Sequence, residues 1–147
     1  MKANKGIPIL ISLDAQSAAN SQPEDAIRLI TTGELYESAE ETVLRYEESL
    51  DEQEPPQKIE LSLRRDGITM TRKGTSEGKM VFQKGHRYES QYHTPFGDMD
   101  LALFCTRADY QKEKNGGELT LQYQLDLGGQ YAAMHDMRLH WKRKKES

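Results

Sequence analysis

The chain has 147 residues, enough for one hydrophobic core without disulfides or metal and too few for two ordinary domains. Its formal net charge is -4 and its pI is near 5.6, which excludes a general attraction to nucleic acid or to anionic membranes. Ten carboxylates fall between Glu34 and Glu60 against only Arg45 and Lys58, while Lys142, Arg143, Lys144 and Lys145 are all basic. Runs of this kind are read as a solvated face and as a basic carboxy-terminal tail over 142–147.

Lys2 and Lys5 precede an apolar stretch, Ile7 to Leu13, but Pro8 and Ser12 interrupt it and no small-residue cleavage site follows, so we do not expect a signal peptide. No apolar run approaches the roughly 20 residues that span a bilayer. The one cysteine, Cys105, stands among Leu103, Phe104 and Thr106 and reads as a small buried hydrophobe in a reducing compartment. A soluble, cytoplasmic protein is the expectation.

Period-two alternation recurs along the chain, and helical periodicity hardly appears. In chain order the expected strands are Ile7 to Leu13, Ile27 to Tyr36, and Thr42 to Glu48, followed by Lys58 to Arg64, where Ile59, Leu61 and Leu63 share a face. Gly33 sits inside the second of these, where a residue without a side chain permits a bend or bulge. Arg65, Asp66 and Gly67 then read as a hairpin turn into a strand carrying Ile68 and Met70 inward. Further strands are expected at Lys79 to Phe82, His86 to His93, Met99 to Thr106, Glu118 to Leu127 and Tyr131 to Trp141. The connections are marked by Ser21-Gln22-Pro23, Pro55-Pro56, Gly74 to Gly78, Pro95-Phe96-Gly97, Asn115 to Gly117 and Gly128-Gly129. Short strands with short links and no long crossover predict an all-β domain: one antiparallel meander barrel of about eight to ten strands. The strand around Phe104 is apolar on both faces, with Leu101, Leu103 and Cys105 on one and Ala102 and Phe104 on the other. Cover for the second face is expected from a homodimer partner or from the amino-terminal segment.

Catalytic strings are absent: no phosphate loop, dinucleotide fingerprint, serine elbow or paired-cysteine metal spacing. His135 and His140, five apart on an expected strand, point to opposite faces and cannot share a metal, so neither metal nor cofactor is expected. The informative residues are polar ones in phase with apolar faces. Arg72 follows Ile68 and Met70, and Glu48 follows Leu44 and Tyr46, so both aim inward, where an unpaired charge is prohibitive and the two are expected to answer one another. His135, in phase with Met137 and Leu139, is a third candidate. Tyr46, Tyr88, Tyr92 and Tyr123 have hydroxyls to offer in the same space.

The strings Thr31-Thr32-Gly33, Tyr46-Glu47-Glu48, Met70-Thr71-Arg72-Lys73-Gly74, Phe96-Gly97 before Leu101, Tyr123 with Asp126, and His135-Asp136-Met137, in that order and spacing, resemble the YwiB-like family of uncharacterised bacterial proteins. The resemblance runs from about Ile7 to Trp141. It implies a calycin-like, lipocalin-type β-barrel and a bacterial cytoplasmic setting, and it carries no established activity. The lipocalin glycine-x-tryptophan signature is missing, since the single tryptophan is Trp141, so a lipocalin ligand is not inherited with the fold.

Three functional readings follow. The first is a noncatalytic barrel that binds a small, amphipathic, anionic ligand, with Arg72 as the anion contact, Glu48 orienting it, and Tyr46, Tyr88 and Tyr92 as walls. The second is a protein-interaction or assembly module with a filled barrel. The third is an enzyme using His135 or His93 as acid or base beside Glu48, for which the sequence offers residue types only. Nucleic-acid binding through Lys142 to Lys145 is a weak fourth.

Overall fold

A computed structural model describes residues 6–19, 22–49, 55–129 and 133–144. These form ten strands: β1 (Ile7–Ala19), β2 (Gln22–Glu37), β3 (Glu41–Glu48), β4 (Gln57–Arg64), β5 (Gly67–Lys73), β6 (Gly78–Phe82), β7 (Arg87–Thr94), β8 (Gly97–Glu113), β9 (Gly116–Leu127) and β10 (Ala133–Arg143). No helix occurs among the described residues, and none is long and apolar enough to cross a membrane.

The strands make one sheet in the order β6-β5-β4-β3-β2-β1-β10-β9-β8-β7, every pair antiparallel. Each strand thus lies beside its neighbours in sequence, and the β1–β10 ladder brings the two ends of the chain together. This is the expected all-β, calycin-like meander barrel. It is nearly closed: at the β6/β7 seam the strands are linked by a Glu77–His93 bridge, whose two main-chain hydrogen bonds are each 2.8 Å.

Alternation decides the inside. Ile9, Ile11 and Leu13 of β1, Leu44 and Tyr46 of β3, and Ile59, Leu61 and Leu63 of β4 are buried, as are Leu119, Leu121 and Tyr123 of β9 and Met137, Leu139 and Trp141 of β10. Most of the residues between them are polar or charged and face outward, as in the cross-strand ion pair Arg45–Glu60 at 2.7 Å, with Leu10 of β1 an exposed apolar exception.

Several elements run past their expected limits. β8 continues seven residues beyond Thr106, to Glu113, because a bulge between Cys105 and Arg107 shifts the register, so that Ala108 and Tyr110 take over the inner positions. Gln22 and Pro23, expected in a connection, begin β2, and Gly67 and Gly116 open strands rather than close turns. Lys142 and Arg143 belong to β10 rather than to a tail, with Arg143 donating to Glu37 at 3.1 Å; 145–147 lie outside the described residues, as do Ser21 and Tyr131. Phe104 projects from the outer face, 40% exposed, so the cover expected there is not supplied by the described part of the chain.

Gly33 marks where β2 and β3 part company. A Cβ there would collide with the Arg45 carbonyl oxygen. Gly33 pairs with Tyr46, and the β2–β3 ladder runs only from there to Glu37–Thr42, leaving the first part of β2 attached to β1 alone. The first part of β2 therefore forms an arm that stands clear of β3 at one end of the barrel, while β1 beside it stays laddered to β10 as far as Ala18–Met134.

Candidate functional site

At that end the inward alternation of three consecutive strands stops being apolar. β3 ends on Glu48 opposite Gln57, the first residue of β4, and Arg72 on β5 lies opposite Ile59. One carboxylate, one amide and one guanidinium consequently meet inside the rim. Arg72 Nη1 stands 3.8 Å from Glu48 Oε2 and donates to Gln57 Oε1 at 3.4 Å, and the two charged side chains are only 21% and 15% exposed. Among the described residues Arg72 Nε and Nη2 have no acceptor.

A pocket of about 480 Å³ opens beside this pair. Leu13 and Ala15 of β1, Ile27 of β2, and Met70, Met80 and Met137 give it an apolar body, while Arg72, Glu48, Tyr46, Tyr123 and His135 form its polar part. Tyr123 is held from two sides. Phe82 meets it edge to face with ring centroids 4.9 Å apart, and His135, its directly opposed neighbour on β10, stacks on it at 5.1 Å with 7° between the planes.

Tyr46 and Tyr123 are 5% and 7% exposed, yet neither hydroxyl has a hydrogen-bond partner among the described residues. Burial pushes the Tyr123 hydroxyl up to about 12, offset in part by Arg72. The Tyr46 hydroxyl is raised further, by burial first and then by the nearby Glu48 carboxylate. Both remain O–H donors at neutral pH. Burial acts on His135 in the opposite sense, lowering its imidazole below the ordinary value and keeping it neutral. The pocket thus offers two unspent hydroxyls, the free side of a guanidinium and a neutral imidazole, next to an apolar chamber.

Residues 11–139 match the model of a family described as a domain of unknown function, DUF1934. The chain belongs to the DUF1934 family. A crystal structure of the ywiB protein from Bacillus subtilis has the same fold, with a TM-score of 0.82 at 18% sequence identity over 95% of this chain and 94% of that one. The YwiB-like resemblance drawn from short strings is therefore sound, and at this identity it speaks for the fold. No functionally curated protein matches the chain.

Of the side chains the sequence singled out, this DUF1934 barrel brings Arg72, Glu48, Tyr46 and His135 to one pocket. Tyr88 and Tyr92 do not line it. Both lie on β7, half-buried against the core, and Tyr92 covers Gly78 across the seam so closely that a Cβ there would strike its ring. His93 is also elsewhere, exposed and hydrogen-bonded to Asp98 at 2.7 Å, a bond that raises its imidazole above the ordinary value. Sequence reasoning missed Gln57 and Met80, whose places depend on cross-strand register rather than on their own strand's pattern. It also missed a meeting on the outer face, where Glu113, Glu118 and His140 bring ligand-capable atoms within 4.8 Å of one another and His140 Nε2 lies 3.4 Å from Glu113 Oε1.

Proposed function

We propose that this DUF1934 protein binds a small amphipathic molecule with an oxyanion head in the barrel pocket and does not transform it. The observation that carries the reading is the pair of hydroxyls on Tyr46 and Tyr123, unpartnered within the described residues and open to the pocket, beside a guanidinium with two unused donors. Each hydroxyl can donate to a ligand oxygen without giving up a bond within the protein, and a hydrogen bond of this kind contributes roughly 0.5–1.5 kcal/mol. A carboxylate or phosphate suits an arginine whose other side is already fixed by Glu48 and Gln57. The methionines and Leu13 suit an apolar tail, and the volume lies within the usual range for a small-molecule site. A solid interaction module fits less well with a chamber of this size. The buried free thiol of Cys105 supports a reducing setting such as the bacterial cytoplasm.

The test uses the purified full-length chain with decanoate and with benzoate, followed by thermal melting and by calorimetry. At least one of these acids should raise the melting temperature, and Arg72→Met should weaken its binding by about tenfold or more, as expected for the loss of a charge-assisted hydrogen bond. Tyr46→Phe and Tyr123→Phe should each weaken it less. Failure of both acids to shift the melt, or binding that Arg72→Met leaves intact, would overturn the reading.

A further inference from the structure

We infer that the outer face of β8, β9 and β10, away from the barrel pocket, binds one zinc-like divalent cation with Glu113, Glu118 and His140 as its protein ligands. Register brings the three together. The bulge between Cys105 and Arg107 turns the odd positions of β8 outward, and Glu113 is the last of them. Glu118 points out between the buried Gly117 and Leu119 of β9. His140 points out between the buried Leu139 and Trp141 of β10, directly opposite Glu118. Glu113 lies opposite Gly116, one step of the alternation from Glu118.

Gly116 lets β8 and β10 meet across the strand that separates them. Its outward position is bare, and a Cβ there would strike the Trp141 carbonyl oxygen. Glu113 and His140 reach over β9 until Oε1 and Nε2 are 3.4 Å apart, and a Glu118 oxygen completes a set whose members all lie within 4.8 Å of one another. Nitrogen and oxygen ligands at about 2.1 Å from a tetrahedral ion stand roughly 3.4 Å from each other. The first pair is therefore already at that separation, and Glu118 closes the set by a rotation of its own side chain.

The charges around the cluster favour a cation. Carboxylates elsewhere on the outer face are answered by arginine: Asp14 by Arg28, Glu60 by Arg45, and Asp109 by Arg107. Glu113 and Glu118 have no lysine or arginine within ion-pair distance among the described residues, and share one imidazole instead. A divalent ion would replace the repulsion between the two carboxylates with two attractions. The imidazole decides the class of ion, because magnesium and calcium prefer oxygen alone whereas zinc and its first-row neighbours accept nitrogen. Spacing along β10 rules out His135 as a further ligand, so the partners of His140 come from β9 and β8, and water fills the remaining position.

The test uses the untagged full-length chain, stripped with a chelator, and titrates it with zinc chloride and with magnesium chloride in a calorimeter. One zinc should bind per chain, and magnesium should give no binding heat. His140→Ala and Glu118→Gln should each weaken zinc binding by about tenfold or more, with metal-free melting temperatures unchanged because all three side chains lie at the surface. Zinc should raise the melting temperature of the parent chain and leave that of His140→Ala unmoved. His93→Ala, which removes the imidazole paired with Asp98, should bind zinc as the parent does. A parent chain that binds no zinc, magnesium binding as tight as zinc, zinc binding that either His140→Ala or Glu118→Gln leaves intact, or binding lost in His93→Ala would each overturn the inference.

Discussion

Arg72 and Glu48 hold one another inside the rim of the barrel, and the energetics of such pairs are asymmetric. Removing one partner strands the other charge, whereas replacing both with apolar side chains leaves nothing to solvate. With the pair about a fifth exposed or less, Glu48→Gln or Arg72→Met alone should cost about 1–3 kcal/mol in urea denaturation, and the double replacement Glu48→Leu with Arg72→Met should cost less than either. Costs that simply add would mean the two charges are independently solvated. His135 supplies a second residue-scale prediction, from the direction of its shift. Burial lowers its imidazole in the folded chain, so on acidification the unfolded state takes up a proton first. Stability is therefore fully present above the ordinary imidazole value and falls as the pH drops through it, levelling off once the folded group also titrates. His93, raised by Asp98, acts with the opposite sign. The difference between the parent chain and His135→Gln, measured by denaturation between roughly pH 8 and pH 5, isolates the buried imidazole; identical profiles would place it in water. Glu48, Arg72 and His135 were legible in the sequence because each extends an unbroken alternation by one step. Tyr88 and Tyr92 misled because parity says only that a side chain points inward, not which neighbours it meets: Tyr92 lies over Gly78, the cross-strand partner of Arg72, yet packs on the seam.

At the scale of elements, the sequence was most readable where a strand is short and uninterrupted. β3 and β4 fall within a residue of their expected limits, since each has a clean two-residue period. β8 was cut short at Thr106 for a physical reason. The bulge there inserts a residue into the ladder, Thr106 turns to donate its hydroxyl to the Gln122 carbonyl at 3.0 Å, and the inward series passes from odd to even positions. The apparent double apolar face came from reading Phe104, which stays outside, together with a core that changes phase just beyond it. β1 and β2 were underestimated differently. Beyond Leu13, β1 carries Asp14 and Gln16 outward but only Ala15 and Ser17 inward, too little apolar contrast to register as strand, although its ladder with β10 runs on to Ala18–Met134. Ala15, Gln16 and Ser17 of β1 and Ala26 and Ile27 of β2 line the pocket, so a stretch that alternation hardly marks forms part of its wall.

The molecule as a whole is a ring of ladders with one weak link. The β1–β10 junction runs from Ile9–Arg143 to Ala18–Met134, while β6 and β7 are joined by the Glu77–His93 bridge, by Ser90 donating its hydroxyl to the Lys79 carbonyl at 3.3 Å, and by the fit of Tyr92 over Gly78. Chain termini usually fray first, but here the terminal strands are knitted to each other and the seam lies in the middle of the sequence. Local opening should follow the ladder bonds rather than distance from the termini. Native-state hydrogen exchange should find the amides of β6 and β7 exchanging through a subglobal opening, while those of Ile9 to Leu13 and Leu139 to Trp141 exchange only with global unfolding. Tyr92→Ala, which removes the side chain spanning the seam, should widen that gap in protection while leaving β1 and β10 unchanged relative to global stability. Met80, on β6, lines the pocket, so opening at the seam would give the molecule proposed to bind there a second way out besides the rim. Exchange that begins in β1 and β10 instead would mean that the sheet is held chiefly by side-chain packing across the barrel, with the ladders secondary.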